Sequence, residues 1–366
     1  MMTTEEIFLV LLRAGLWGKA EDTGDQEVDW KAIREAAHKL AVTGFIADGI
    51  AVQKKAYPGF KTVLEDQKLF IKDVFNIEGT NGKLDQLLAS IATLLDSEGL
   101  TPVILKGQGL ARDYPAPSHR VAGDIDILLD GDDYRKAADI LSKKATKLCH
   151  EYPRIRHFGM FFGKLEVELH GTINSRMGRR FNGTLEEMQK ELFQTKDFRT
   201  FDCRGTSVRI PSVEFDATFI FAHIIQHLYD FGLTLKQICD WAMLLHRHRD
   251  EIDRDLLKAR LERMDILREW QVLGCILTDK LGLPAEELPF HDPACTAKAD
   301  KLWSAINEYS AKETSIKGAG YLHGKYLNTK NRLSWIAQNI SISPRNTARA
   351  FLGMIAGGVD SVMHGR

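Results

Sequence analysis

The sequence predicts an α+β protein, a small mixed β-sheet core flanked by N-terminal and C-terminal helical portions. Three observations carry this. Apolar residues recur at three- and four-residue spacing through the first hundred positions, the pattern changes at Thr101 to short strand-like runs, and helical spacing returns after Pro211–Ser212. The expected domains are an N-terminal helical region over 1–100, an α/β core over 101–212 and a C-terminal helical region over 213–366.

Taken in order, Trp30, Ile33, Ala37, Leu40 and Ala41 form the buried stripe of one helix. Phe70, Val74 and Ile77, then Leu84, Leu87, Leu88, Ile91, Leu94 and Leu95, form another; Gly79 and Gly82 interrupt it, which fits two helices or one kinked helix, and Gly99 is its terminal cap. Val103–Leu105 and Asp124–Leu129 read as strands, and Asp132 or Asp133 caps a helix expected to run to about Leu148. His157–Phe162 and Leu165–His170 are separated by Gly163–Lys164, a hairpin signal. A further strand pair is expected at Arg199–Cys203 and Ser207–Ile210. Helices then follow from Val213, with breaks near Gly232, Gly282–Pro284, Pro289–Pro293 and Gly318–Gly320, and a last helix over Arg345–Met363.

The 366 residues carry a formal net charge of -1, so no global basic field points to an extended nucleic-acid track. Five scattered cysteines without a C-x-x-C fit a reducing compartment and no zinc framework. The N-terminus places acids before a short apolar run and lacks a basic segment, and no apolar run is long enough to span a membrane. A cytoplasmic, membrane-free protein is the expectation.

The chemistry concentrates between Pro102 and Asp130. An apolar strand enters a Gly-containing turn, and a second strand carries Asp124 and Asp126 at alternate positions. Side chains two apart on a strand share a face, so both carboxylates point one way while Ile125 and Ile127 point the other. Paired carboxylates need a cation between them, and hard oxygen ligands suit Mg²⁺. Gly123, with no Cβ, permits close approach just before them. Two-metal phosphoryl chemistry gains from a third acid, and Glu166 and Glu168 share one face of the run ending in Val167–Glu168–Leu169–His170.

These pieces resemble a known family. Leu105–Lys106–Gly107, Tyr114–Pro115, Arg120, Gly123–Leu129, Val167–His170 and the helical stretch His227–Leu245 are similar, in order and spacing, to an uncharacterised bacterial nucleotidyltransferase family of the DNA polymerase β-like superfamily. The resemblance covers roughly residues 30–250. It implies a polymerase β-like core in which Asp124, Asp126 and Glu168 are the catalytic, metal-holding acids for Mg²⁺ or Mn²⁺. It also implies that Lys106, Gly107 and Gln108 form the phosphate turn. Gln108 departs from the small residue the superfamily prefers there. The implied reaction moves a nucleoside monophosphate from a nucleoside triphosphate, such as ATP, to an acceptor hydroxyl, with release of pyrophosphate. The acceptor is not encoded legibly: a small molecule, an RNA end and a protein side chain all fit.

Beyond these residues, Arg120 suits phosphate neutralisation or a salt bridge to a site carboxylate. Arg112 and the cluster Arg154, Arg156, Arg176, Arg179 and Arg180 read as solvated surface or as anion contacts. His170 shares the Glu168 face. His223 and His227 are four apart on a helix but lack an H-E-x-x-H pattern. Two other readings stand beside the transferase. One is a non-catalytic nucleotidyltransferase-like scaffold or binding protein; the other is a glycosyltransferase whose D-x-D holds a sugar nucleotide through one metal.

Overall fold

The computed structural model describes residues 1–152, 156–175, 177–230, 232–316, 335, 340–349 and 351–352. The chain divides into two compact units, Met1–Asn174 with Glu186–Asp216, and Ser175–Leu185 with Ala217–Arg366.

The first unit opens with four helices: α1 (Thr4–Trp17), α2 (Trp30–Lys39), α3 (Thr43–Ala56) and α4 (Leu64–Ser97). Thr3 and Glu6 close a reciprocal capping box on α1. α1 and α3 approach closely because each offers glycine at the contact: a Cβ on Gly15 would lie 1.9 Å from the Phe45 carbonyl oxygen, and one on Gly49 would lie 1.8 Å from that of Leu11. α4 is a single helix of 34 residues that runs through Gly79 and Gly82. Its stripe of Asn81, Leu84, Leu88, Ile91 and Leu95 is buried, and Gly99 follows the helix end at φ 73°.

The sheet comprises β1 (Val103–Leu105), β2 (Asp124–Leu128), β3 (Lys147–Tyr152), β4 (His157–Phe162) and β5 (Leu165–His170), with α5 (Gly107–Ala111) after β1 and α6 (Asp133–Ser142) after β2. The strand order is β1-β2-β5-β4-β3. β2 and β5 run parallel, and the remaining neighbours are antiparallel. Ile125, Ile127, Val167, Leu169 and Met160 face a core completed by α4, by Tyr134, Ala137 and Leu141 of α6, and by Cys203, Val208 and Ile210. That burial commits the alternate residues of β2 and β5 to the opposite face.

The helix expected to reach Leu148 ends at Ser142, and 147–152 form a strand instead. The apolar stripe of α6 stops at Leu141. Thr146 N–H already donates to the Phe161 carbonyl at 2.8 Å, which starts the β3–β4 ladder. β3 is an edge strand whose ladder with β4 shifts register between Leu148 and Glu151. The β4–β5 hairpin turns at Gly163 with φ 65°, the conformation a first-position glycine supplies in a type II′ turn.

After the sheet come α7 (Arg179–Thr195), which the sequence pattern did not reveal, and a two-stranded ribbon of β6 (Phe198–Cys203) and β7 (Thr206–Pro211). The second unit contains α8 (Val213–Asp230) from Ala217 onward, α9 (Leu235–Arg247), α10 (Arg254–Met264), α11 (Leu267–Asp279) and α12 (Thr296–Ile316). Phe221, Trp241 and Trp270 meet at ring separations of 4.7–4.8 Å in its core. The expected break at Gly318–Gly320 and the last helix beyond 352 lie outside the described residues. No helix among the described residues is long and apolar enough to cross a membrane.

Candidate active site

β2 and β5 bring the three expected acids together. Their parallel register sets Asp126 beside Glu168 and Asp124 beside Glu166. One oxygen from each of Asp124, Asp126 and Glu168 lies within 4.8 Å of the others. Glu166 is outside this group. Asp126 is 2% exposed, whereas Asp124 and Glu168 are only partly covered. The cluster therefore has a buried base and an open rim.

Two basic side chains flank the buried carboxylate. Lys106 Nζ lies 3.0 Å from Asp126 Oδ2, and His170 Nε2 lies 2.8 Å from Oδ1. Burial alone would raise the Asp126 carboxyl, but the Lys106 charge and the His170 hydrogen bond outweigh it and hold Asp126 below the ordinary carboxylate range. Glu168 is held well below that range by hydrogen bonds from His157 and His170, against the opposing effect of burial. Glu166 is pushed upward by burial and by the neighbouring Glu168 and Asp124 charges. Both low-lying acids are thus ionised at neutral pH, as metal ligands must be.

The turn after β1 is strained where it meets the site. Lys106 adopts φ 52°, a value rare for a residue with a Cβ, and Gly107 follows at φ 35°. A Cβ on Gly107 would sit 3.6 Å from the Asp124 carbonyl oxygen, so the turn packs against the mouth of β2. Of the residues expected at the phosphates, Lys106 lies against Asp126, while Gly107, Gln108 and Arg120 line an adjacent cavity of about 270 Å³ with Asn81, Asp85 and Arg112. Gln108 is 4% exposed, and neither polar atom of its amide has a hydrogen-bond partner. Such a group costs free energy unless a ligand or water satisfies it.

The N-terminal helices hold the loop that carries Arg120. Asn81 Nδ2 donates to the carbonyls of Ser118 at 2.7 Å and Arg120 at 2.9 Å. His119 bridges Asp48 of α3 at 2.7 Å and Glu78 of α4 at 3.3 Å. A Cβ on Gly44 would lie 2.0 Å from the His119 carbonyl oxygen, so α3 passes against the loop backbone. Arg120 itself is 4% exposed. Sequence reasoning missed Asn81, whose signal was present: it occupies a position of α4's apolar stripe where a polar side chain needs a partner. It also missed His157, whose position opposite His170 follows from the β4–β5 register.

The remaining basic candidates are dispersed. Arg112 lies 4.7 Å over the Phe201 ring and 3.8 Å from Asp85. Arg179 and Arg180 are exposed, and Arg154 and Arg176 lie outside the described residues. His223 and His227 meet edge to face at 4.6 Å and are absent from the groups of three among the described residues that could hold a metal.

Three clustered carboxylates thus sit on two parallel strands beside a strained, glycine-bearing turn. The chain belongs to a family described as uncharacterised nucleotidyltransferases, whose model matches residues 26–278, more than half of its length. No curated protein matches it. Among solved structures it is similar to the crystal structure of an antigenic nucleotidyltransferase-like protein from Paracoccidioides brasiliensis, with 13% identity over 58% of this chain and 96% of that one and a TM-score of 0.35.

Proposed function

We propose that the chain transfers a nucleoside monophosphate from a nucleoside triphosphate to an acceptor hydroxyl, with release of pyrophosphate. The observation that carries this reading is the convergence of Asp124, Asp126 and Glu168 within 4.8 Å on one face of two parallel strands. All three offer carboxylate oxygens, a donor set matched to Mg²⁺ or Mn²⁺. Family membership supports the general kind of reaction.

Asp124, Asp126 and Glu168 would hold the metal, with Asp126 anchored from below by Lys106 and His170. When bound, the divalent ion neutralises phosphate charge and lowers the pKa of a hydroxyl at the site. The chain's own residues position the reactants, which is most of what a protein contributes to phosphoryl chemistry. Lys106 adds positive charge at the turn. Gln108 and Arg120 furnish hydrogen-bond donors in the adjoining cavity, a place for part of the nucleotide. Glu168 orients the acceptor hydroxyl from the partly open rim of the cluster.

The scaffold reading would be favoured by a Glu168 turned away from the aspartates; instead its carboxylate lies among them. The test is incubation with each α-labelled triphosphate, Mg²⁺ or Mn²⁺ and cell extract. Transfer of label to an extract component, lost in Asp124→Asn, is the expected result. Release of nucleoside diphosphate from sugar nucleotides, with no pyrophosphate from triphosphates, would replace this reading with the glycosyltransferase.

A further inference from the structure

The face of β5 that presents Glu168 also presents two imidazoles. His157 and His170 stand directly opposite each other in the antiparallel β4–β5 register, with ring centroids 4.9 Å apart. The β4 residue directly facing Glu168 is Gly159, which has no side chain, so the contact from that strand comes from His157, two residues along. A Cβ on Gly159 would lie 3.9 Å from Glu166 Oε1 and 3.6 Å from Cys149 Sγ. His157 leans diagonally across the strand pair towards Glu168.

Both rings address the same atom. Nε2 of His157 lies 3.2 Å, and Nε2 of His170 3.5 Å, from Glu168 Oε2. A tetrahedral ion with bonds of 2.0–2.2 Å sets its ligand atoms about 3.3–3.6 Å apart; the 3.5 Å contact falls in that range and the 3.2 Å contact is just short of it. The three side chains are 17–26% exposed, so an ion can reach them from solvent. Asp126 Oδ1, 2.8 Å from His170 Nε2, borders the same position.

We propose that His157, Glu168 and His170 form a binding site for a transition-metal dication of the Zn²⁺ type, adjoining the Asp124–Asp126 pair and sharing Glu168 with it. Nitrogen donors distinguish this position from the all-oxygen one. Imidazole favours zinc and its first-row neighbours, whereas Mg²⁺ prefers carboxylate and water. The shared glutamate makes the two positions a pair of unequal hardness. The assignment of the all-oxygen position rests on the nucleotidyltransferase reading; zinc binding at the histidines does not.

The test uses the full-length chain, stripped of metal. Zn²⁺ affinity is measured by competition with a chromophoric chelator, and Co²⁺ reports geometry through its visible absorption. The wild-type chain is expected to bind one Zn²⁺ and to give a tetrahedral Co²⁺ spectrum. Because loss of a supporting residue around a metal already costs about 10–100-fold in affinity, loss of the ligand in His157→Asn is expected to cost about 100-fold or more. His157→Cys should restore tight zinc binding and add sulfur-to-cobalt charge transfer, which a folding defect would not produce. A wild-type chain that binds no zinc, or equal affinity in folded His157→Asn, overturns the proposal and leaves the imidazoles as hydrogen-bond partners of Glu168. Mg²⁺-dependent binding of a non-hydrolysable triphosphate, followed in parallel, separates the two readings: its absence with the zinc site intact counts against the transferase alone.

Discussion

Asp126 and Glu168 sit side by side in register on two parallel strands that are not consecutive in the chain. α6, β3 and β4 lie between them in sequence, so the site is a product of sheet topology rather than of one motif. Each strand gives its odd-numbered residues to the core, and that burial fixes which face the acids occupy.

The Lys106–Asp126 pair is almost wholly buried on the aspartate side, at 2% exposure. Lys106→Met should destabilise the protein by roughly 3–5 kcal/mol, because removing one partner leaves a buried charge without its counterpart. Denaturant unfolding checks this. A loss below about 1 kcal/mol would mean that His170 alone suffices as the partner of Asp126.

Two glycine-to-alanine substitutions should act in opposite directions. In Gly49→Ala the new methyl would lie 1.8 Å from the Leu11 carbonyl oxygen, and α1 and α3 must separate at a cost of roughly 1–3 kcal/mol or more. In Gly79→Ala the methyl meets nothing within 4 Å inside a long helix, so a gain of about 0.5–1 kcal/mol is expected. Thermal melts of the two variants give the comparison directly.

His119 should make stability pH-dependent. Its hydrogen bond to Asp48 and the Asp48 and Glu78 charges raise its pKa, against the opposing effect of burial. A histidine with a raised native pKa stabilises fully below its unfolded value of about 6.5, and the contribution disappears as pH rises through the native value. The melting-temperature gap between wild type and His119→Gln should therefore be widest in mild acid and narrow towards alkaline pH. A gap that widens with pH would contradict the assignment.

Asn81→Ala should cost roughly 1–3 kcal/mol by leaving the Ser118 and Arg120 carbonyls without their donor. Because those carbonyls belong to the loop lining the cavity, triphosphate binding should weaken as well. Calorimetric titration with a non-hydrolysable triphosphate, beside an unfolding curve, measures both effects.

Much of the central sheet was legible. β1, β2 and the β4–β5 hairpin are short, strongly patterned and punctuated by glycine, and local chemistry specifies such elements. The C-terminal end of α6 was not legible, because the chain leaves the helix at Ser142 and 147–152 become strand only by pairing with β4. Alternation along one strand leaves Glu166 and Glu168 on the same face, and Glu168 was expected from the resemblance; parallel register sets it beside Asp126. Lys106 was read as a phosphate contact from the turn motif; its attachment to Asp126 depends on where β2 lies beside β1. Asn81 and His157 gain their meaning from partners 37 and 11 or more residues away, respectively, in the loop and on β5.

The central claim is that Asp124, Asp126 and Glu168 hold a divalent ion for a nucleoside triphosphate. The most direct measurement is calorimetric titration of a non-hydrolysable triphosphate into wild type and Asp126→Ala, each with Mg²⁺ and with chelator. The account predicts binding by wild type that requires Mg²⁺, and a folded variant in which Mg²⁺ makes no difference. Undiminished Mg²⁺-dependent binding by Asp126→Ala would contradict it.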